Sequence, residues 1–196
     1  MSHLRRGFVA ITVLAVIGVS PAPAASRMRT TATIFRAFNS AGVPTIQVQS
    51  KSGRCFAPSA TSDRNDAWRC LVGNFILDPC FSSAKAHGVV ICPDRQLNGG
   101  IMIRLTRALP GPANRGSPSP ATVPWNVQLA NGQHCLLSSG ASTAIHGVRL
   151  NYFCDPGTRY GLWGFPDRRA QPWTILSGPF TAKRLTQRLV IVRAWM

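Results

Sequence analysis

Six cysteines, four of them in an order that occurs twice, constrain this chain more than any other feature of its sequence. Each copy begins with a Val-Gln strand, passes through a glycine turn into a first cysteine, and reaches a second cysteine shortly after an aromatic residue. The matching positions are Gly53, Cys55 and Cys70 in residues 46–92, and Gly132, Cys135 and Cys154 in residues 125–175. This recurrence predicts one β unit used twice, with its own cysteine pair in each copy.

The recurrence also selects a disulfide pattern. Many pairings of six cysteines are possible in principle, but the equivalent pairs are Cys55–Cys70 and Cys135–Cys154, which leaves Cys80–Cys92. We predict no metal site, because zinc ligands usually come as C-x-x-C or paired histidines and the chain has neither. Closing a loop of about 15 residues stabilises a fold by about 3 kcal/mol in the chain-entropy treatment, so the bridges should supply much of the stability.

The amino terminus has the layout of an export signal. Two arginines, Arg5 and Arg6, precede an apolar run over residues 7–19 and then small residues of the kind that signal peptidase reads. The run is too short to span a bilayer, which needs roughly 20 apolar residues, and no later run is long enough either. We therefore expect residues 1–24 to be removed and residues 25–196 to reach the periplasm or the cell exterior, where thiols are oxidised.

The charge is strongly positive. The chain has 22 lysines and arginines against 6 aspartates and no glutamate, a formal net charge of +16. Such a surface attracts polyanions, and salt weakens the attraction. Nucleic acid is a possible partner but is not indicated, because the basic residues are scattered rather than gathered in a run. GC-rich codon usage would produce the same arginine excess without any ligand.

The remaining pattern predicts a mainly β fold. Short apolar and β-branched runs, such as residues 31–38 and 188–195, recur between turns, and no long segment keeps a helical stripe. Residues 57–66, between the first two cysteines, have turn chemistry and are predicted to be exposed. Five prolines in residues 108–124 exclude an interior strand. We predict a single domain in which this connector joins a first unit, about residues 30–107, to a second, about 125–196. The expected architecture is a compact, disulfide-stapled barrel or sandwich of two similar units.

Several strings resemble a domain found in many exported bacterial proteins, alone or behind membrane anchors and kinase-like segments. They are S-G-R-C (52–55), D-A-W-R-C-L-V-G-N (66–74), I-L-D-P-C-F (76–81), P-W-N-V-Q-L-A-N-G-Q-H-C (124–135), Y-F-C (152–154) and A-W (194–195). That family has no assigned activity. The resemblance implies export, disulfides and a sensing or binding setting, and carries over no catalytic residue.

A further resemblance is to ricin-type β-trefoil lectins. It is carried by N-G-Q-H-C-L-L (131–137) and Q-P-W (171–173). The Q-x-W element of that family recurs in each repeat of the fold, whereas it occurs once here. The β-trefoil is therefore the alternative to a barrel or sandwich of two units.

Catalytic chemistry is not clearly encoded. The chain has no G-x-S-x-G nucleophile motif, phosphate-binding loop or H-E-x-x-H helix. A hydrolase or nuclease would have to use His134 or His146 with an aspartate, but no spacing fixes such a pair. Asp63 and Asp66 could flank a substrate or bind a cation, although aspartates in such loops more often cap turns. We therefore predict no catalytic residue and no cofactor.

One small cluster is the candidate ligand-binding site. Trp163, flanked by glycines and close to Arg168 and Arg169, is predicted to be an exposed aromatic residue beside positive charge. The other tryptophans lie in strand-like runs and are predicted to be core: Trp68, Trp125, Trp173 and Trp195.

The sequence thus favours a secreted, basic, non-enzymatic binding module. Its expected partner is an anionic envelope polymer, such as a wall polymer or lipopolysaccharide. Two alternatives remain open: a secreted hydrolase or nuclease that uses histidine and aspartate, and a structural or protein-interaction domain. The oligomeric state is not predicted.

Overall fold

The computed structural model describes residues 28–111, 122–155 and 160–196, and its regular structure there is entirely β. The export signal predicted for residues 1–24 and the middle of the connector lie outside the described residues. The strands are β1 (Thr31–Thr33), β2 (Gln47–Pro58), β3 (Ala67–Val72), β4 (Phe75–Ser83), β5 (Ala86–Pro93), β6 (Gly99–Leu105), β7 (Asn126–Leu129), β8 (His134–Leu137), β9 (Ala144–Ile145), β10 (Val148–Phe153), β11 (Tyr160–Asp167), β12 (Thr174–Pro179) and β13 (Gln187–Trp195).

The strands form two closed barrels. β2 to β6 make the first, a five-stranded barrel in which neighbours are antiparallel except for the parallel pair β2 and β6 that closes it. The second barrel runs β7-β8-β10-β11-β12-β13, and antiparallel pairing of β13 with β7 closes it. β1 adds to β13 in parallel, and β9 pairs with β10. The predicted disulfide-stapled β barrel is confirmed, in the form of two barrels rather than the single barrel of a β-trefoil.

The structure pairs the cysteines as the repeated unit predicts: Cys55–Cys70, Cys80–Cys92 and Cys135–Cys154. Each bridge joins neighbouring antiparallel strands, and Cys55 lies directly opposite Cys70 in the register of β2 and β3. All six cysteines are buried, and each barrel has at least one bridge in its interior. The disulfides therefore serve as core side chains as well as cross-links.

Period-two alternation fills each barrel with apolar side chains. The first interior holds two of the bridges together with Trp68, Val90 and Ile103. The second holds the third bridge and a larger aliphatic set: Val127, Leu129, Leu162, Ile175, Ile191 and Ala194, with Tyr152. Side chains that point inward from opposite strands thus meet in both barrels.

An aromatic trio joins the two barrels. Phe35 follows β1, Phe81 points outward from β4, and Trp125 immediately precedes β7; their ring centroids lie 5.4 to 5.6 Å apart. Residues 31–38 were predicted to be one strand, but only residues 31–33 pair with the sheet. The rest of that segment leaves the sheet because Phe35 and Phe38 are buried in the joint.

The two units are less alike than the recurring sequence suggests. Gly132, with φ of +86°, lies in the turn between β7 and β8 as expected, but Gly53 lies inside the continuous strand β2. The turn predicted at Gly53 is therefore wrong. A Cβ at Gly53 would lie 2.5 Å from the Leu71 carbonyl oxygen, so glycine here allows close approach of two strands.

The prediction that residues 57–66 are exposed is also wrong in part. Ser59, Thr61 and Ser62 are buried. The carboxylate of Asp78 on β4 accepts hydrogen bonds from the Ser59 hydroxyl at 2.5 Å and from the Thr61 hydroxyl and the Ala60 backbone N–H, both at 3.1 Å. Small polar residues can be buried here because one carboxylate satisfies several of their donors.

Candidate functional site

The candidate cluster predicted around Trp163 does not form an exposed site. Trp163 is 0% exposed, and its indole N–H donates to the Gly178 carbonyl at 3.2 Å. It lies on β11 between strand partners Leu150 and Leu176. The prediction of an exposed aromatic residue is wrong, because the protein encloses the ring completely and the backbone of β12, rather than water, accepts the indole hydrogen bond.

Arg168 binds the end of the connector to the second barrel through a hydrogen bond. Its guanidinium lies 4.7 Å from the Trp173 ring centroid and donates to the Thr122 carbonyl at 2.6 Å. Beside it, the Tyr152 hydroxyl donates to the Pro124 carbonyl at 2.7 Å. Burial raises the pKa of Tyr152, which keeps its hydroxyl protonated as a donor, and burial lowers the pKa of Arg168. Arg168 therefore has a structural contact in the described chain.

Arg169 is exposed, but an acid neutralises it. Its guanidinium donates to both carboxylate oxygens of Asp167, at 2.9 and 2.7 Å. These hydrogen bonds hold the pKa of Asp167 well below its usual value, and the same contact raises the pKa of Arg169. Of the three predicted residues, Trp163 is therefore buried, Arg168 is hydrogen-bonded to the connector, and Arg169 is paired with an acidic side chain.

Most of the acidic side chains are in local ion pairs. The pairs are Arg64–Asp66 at 2.5 Å, Arg69–Asp78 at 3.9 Å, Arg95–Asp155 at 4.0 Å, and Asp167 with Arg169 at 2.7 Å and Arg188 at 3.5 Å. These contacts use four of the six aspartates of the chain. The remaining cations consequently produce a field that few carboxylates offset.

A cleft of about 680 Å³ lies beside the end of β6, and we call it the arginine cleft. One wall is the β4–β5 hairpin and the other is residues 105–109. Its polar lining consists of Ser82, Ser83, His87, Thr106 and Arg107, and no acidic residue is among the residues that line it. A volume of this size suits a small ligand or one segment of a polymer.

Two further arginines follow on the neighbouring strands β6 and β2. Arg104 on β6 is in register with Val89, which lines the cleft, and with Ser52 on β2. Arg54 lies two residues beyond Ser52 and therefore on the same outer face of the strand. Arg104, Arg107 and Arg54 are exposed, and in the described parts of the chain none of them is in an ion pair.

Hydrogen bonds to β2 fix the chain that follows β6. The N–H and the hydroxyl of Thr106 both donate to the Gly53 carbonyl, at 2.9 and 3.1 Å. The chain after β6 therefore continues alongside β2 for at least one more residue. Guanidinium, imidazole and hydroxyl groups are good donors to anionic oxygens, and the arginine cleft gathers all three kinds on a fixed backbone.

A second cleft, of about 350 Å³, shares Ser82 and Ser83 with the first, but Arg64 in its lining is bound by other groups of the protein. Arg64 lines it and donates to both oxygens of Asp66, at 2.8 and 2.5 Å. The same guanidinium lies 4.5 Å from the Phe81 ring centroid and donates to the Phe35 carbonyl. Asp66, a candidate ligand in the sequence, therefore fixes an arginine at the aromatic joint.

A polar seam lies between the barrels. Arg95, in the turn after β5, donates to the Cys154 carbonyl at 2.5 Å, and its own carbonyl accepts from Asn126 on β7 at 2.7 Å. Four buried atoms of this seam have no hydrogen-bond partner among the described residues: Asp94 Oδ1, Arg95 Nε, Asn126 Oδ1 and His134 Nδ1. The seam joins the barrels through polar contacts beside the aromatic joint.

His134 is the titratable ring of this seam. It is buried and stacks on Trp195 with ring centroids 5.4 Å apart. Burial lowers the pKa of His134, and Arg193 lowers it further. Asp155, Asp94 and the backbone carbonyl of Arg95 act in the opposite direction without reversing the shift. The ring is therefore neutral at neutral pH.

Neither histidine of the hydrolase hypothesis is paired with a carboxylate among the described residues. The contact between His134 and Asp155 runs through the backbone N–H of His134, at 3.3 Å, and not through its ring. His146 is exposed, and its Nε2 lies 3.1 Å from the Lys183 carbonyl oxygen. A histidine–aspartate catalytic pair needs the two side chains within hydrogen-bond reach, and among the described residues neither ring makes such a contact.

We expect His134 to make stability depend on pH. The folded state resists protonation of this ring, whereas the unfolded chain takes up a proton near pH 6.5. Because the unfolded state then binds more protons, the free energy of unfolding should fall as the pH drops below about 6.5. His134→Phe keeps an aromatic ring on Trp195 but cannot titrate, so it should flatten this part of the profile. Urea denaturation between pH 8 and 5 measures the difference, and identical slopes would contradict the assignment.

Comparison with known proteins adds no family. The chain matches no protein-family model, no curated protein and no solved structure. Within the described residues, no helix has the length and apolar character needed to cross a bilayer. The function is therefore inferred from the chemistry of the arginine cleft.

Proposed function

We propose that this protein is an exported, non-enzymatic binding module that holds an anionic polymer of the cell envelope along the arginine cleft. The observation that carries the proposal is the cleft itself, whose lining includes the exposed Arg107 and no acidic residue, with the exposed Arg104 and Arg54 on the neighbouring strands. Three disulfides and the layout of the amino terminus support an extracytoplasmic location.

The arrangement of the cations favours a polymer over a single small anion. Arg107 lines the cleft, whereas Arg104 and Arg54 follow on the outer face of neighbouring strands. Strands lie about 4.8 Å apart, so these guanidinium groups can bind successive charges of one extended ligand. Wall polymers and lipopolysaccharide carry phosphate or carboxylate groups of this kind, which arginine binds through charge-assisted hydrogen bonds.

Removing two cations at the arginine cleft should weaken polymer binding strongly. For Arg104→Ser/Arg107→Ser, we expect affinity for soluble polyphosphate to fall by about 30-fold at low salt, from about 1 kcal/mol for each cation near an anionic surface. The dependence of the logarithm of affinity on the logarithm of salt concentration should also become shallower, by about one to two. Titration at several salt concentrations measures both effects.

A charge-matched control distinguishes the cleft from overall charge. Arg169→Ser/Arg188→Ser removes two cations from the second barrel, where both are paired with Asp167. This variant should keep most of the affinity. An equal loss in the two variants would assign the attraction to the total charge of the protein. Binding of a protein partner that salt does not affect would favour an interaction domain instead.

A further inference from the structure

The β3–β4 hairpin has an unusually apolar tip. β3 ends at Val72, Gly73 turns the chain with φ of +57°, and β4 begins with Phe75 and Ile76. Phe75 is 76% exposed and Ile76 is 52% exposed. Leaving two large apolar side chains in water at the end of a narrow hairpin is unfavourable unless something covers them.

Apolar surface and positive charge continue away from this tip. Ile76 is in register with Leu71, and Leu71 is in register with Arg54. Phe56, two residues after Arg54, is also exposed. The hairpin tip therefore borders an arginine that no carboxylate of the described residues pairs with.

The nearest acid in the sequence does not offset this charge. Asp78 lies two residues after Ile76 on β4, but its side chain is nearly buried and accepts hydrogen bonds from Ser59 and Thr61. No other acidic residue occurs in β2, β3 or β4. The exposed side chains at the tip are thus Asn74, Phe75 and Ile76, with Arg54 on the neighbouring strand, and none of them is acidic.

From this combination we infer that the β3–β4 hairpin docks the protein on the surface of an anionic phospholipid bilayer. Phe75 and Ile76 enter the boundary between headgroups and acyl chains, a layer that apolar groups reach at a depth of about 5–10 Å. Arg54 remains at the level of the anionic headgroups. This inference goes beyond polymer binding, and its apolar anchors lie outside the arginine cleft.

Charge and shape favour a lipid surface over a second protein. A stable protein interface buries about 800 Å² on each partner, which is far more than two side chains on a hairpin tip provide. Anionic headgroups also complement the arginine at the edge of the tip. A second copy of the chain, seated tip to tip, is the occupant that the experiment must distinguish.

Cosedimentation with large unilamellar vesicles tests the inference. The protein without residues 1–24 should bind vesicles that contain phosphatidylglycerol and not vesicles of phosphatidylcholine alone. Phe75→Ser/Ile76→Ser should reduce partitioning onto the anionic vesicles by about 30-fold or more. Its urea denaturation should match that of the wild type, because both side chains are exposed.

The control removes equally exposed apolar groups elsewhere. Val43→Ser/Phe165→Ser replaces side chains that are 54% and 57% exposed, and it should leave partitioning unchanged. Absence of wild-type binding to anionic vesicles at low salt, or an equal loss in the control, would overturn the inference. A dimer in light scattering that only the tip variant abolishes would overturn it in favour of a second copy.

The same variants distinguish this inference from the proposed function. The tip variant should bind polyphosphate as the wild type does, because Phe75 and Ile76 do not line the arginine cleft. Polyphosphate binding that persists while vesicle binding is absent would remove only the docking surface. Vesicle binding without polyphosphate binding would remove only the polymer proposal.

Discussion

Replacing Trp125 by alanine should lower the free energy of unfolding by about 3–5 kcal/mol, the usual cost of removing a large buried aromatic side chain. Trp125 is almost fully buried and contacts Phe35 and Phe81 where the two barrels meet. Its loss should also weaken the coupling between the barrels. We expect the single urea transition to separate into two, which near-UV circular dichroism and hydrogen exchange of the individual strands would detect.

Trp125→Phe supplies the control. The indole N–H of Trp125 has no hydrogen-bond partner among the described residues, so phenylalanine keeps an aromatic ring without leaving a new polar group unsatisfied. It should cost about 1 kcal/mol and preserve one cooperative transition. A loss in Trp125→Ala no larger than that of the phenylalanine variant would mean that the aromatic trio does not hold the barrels together.

Replacing Cys80 and Cys92 together by alanine should cost about 3 kcal/mol. The bridge closes a loop with a sequence separation of 12 residues, and in the chain-entropy treatment a loop of this length restricts the unfolded state by about that amount. The two cysteines also fill part of the first barrel interior, so loss of packing adds to the effect. Equilibrium unfolding in urea, with the far-UV signal as readout, gives the difference.

The second barrel offers a parallel measurement. Cys135→Ala/Cys154→Ala removes a bridge with a sequence separation of 19 residues, and we expect a loss of similar size. Reducing the wild-type protein should lower stability by at least as much as either double variant. Unchanged unfolding of the wild type under strong reductant would show that the bridges contribute little.

Local patterns predicted the strands and the bridges well. The alternation of Val148, Leu150 and Tyr152 in β10 shows the apolar face directly in the sequence, because the side-chain period of a strand is two. The spacing of the cysteines predicted bridges between strands that are close in sequence. Both features depend on contacts between residues close in sequence, which explains why a single sequence was enough to predict them.

Features that depend on contacts between distant segments could not be predicted. Nothing local shows that β2 pairs in parallel with β6, or that Gly53 is needed because Leu71 passes so close. Trp163 has glycine neighbours that suggested exposure, but its ring is fully buried and its indole N–H donates to Gly178, which lies 15 residues away in the chain. Similarly, Ser59 and Thr61 belong to an ordinary polar loop in the sequence, and their burial depends on hydrogen bonds to Asp78, which lies on another strand.

The arginine cleft was missed for the same reason. His87 and Arg107 come from the β4–β5 hairpin and from the chain after β6, and only barrel closure brings them to one place. In the sequence Arg107 is one of many scattered cations. The one available signal was the small number of acidic residues, which left many cations without an acid.

The position of β13 has a consequence for the order in which the protein can assemble. This strand pairs with β12 and β1 and also closes the second barrel against β7, yet every one of those partners precedes it in the chain. Until residues 187–195 are released from the ribosome or a translocation channel, β7 keeps an open edge. Completion of the second barrel is therefore a late step. The same strand also pairs with β1 across more than 150 residues, as the pairing of Thr31 with Arg193 shows, and such long-range pairing is intrinsically slow.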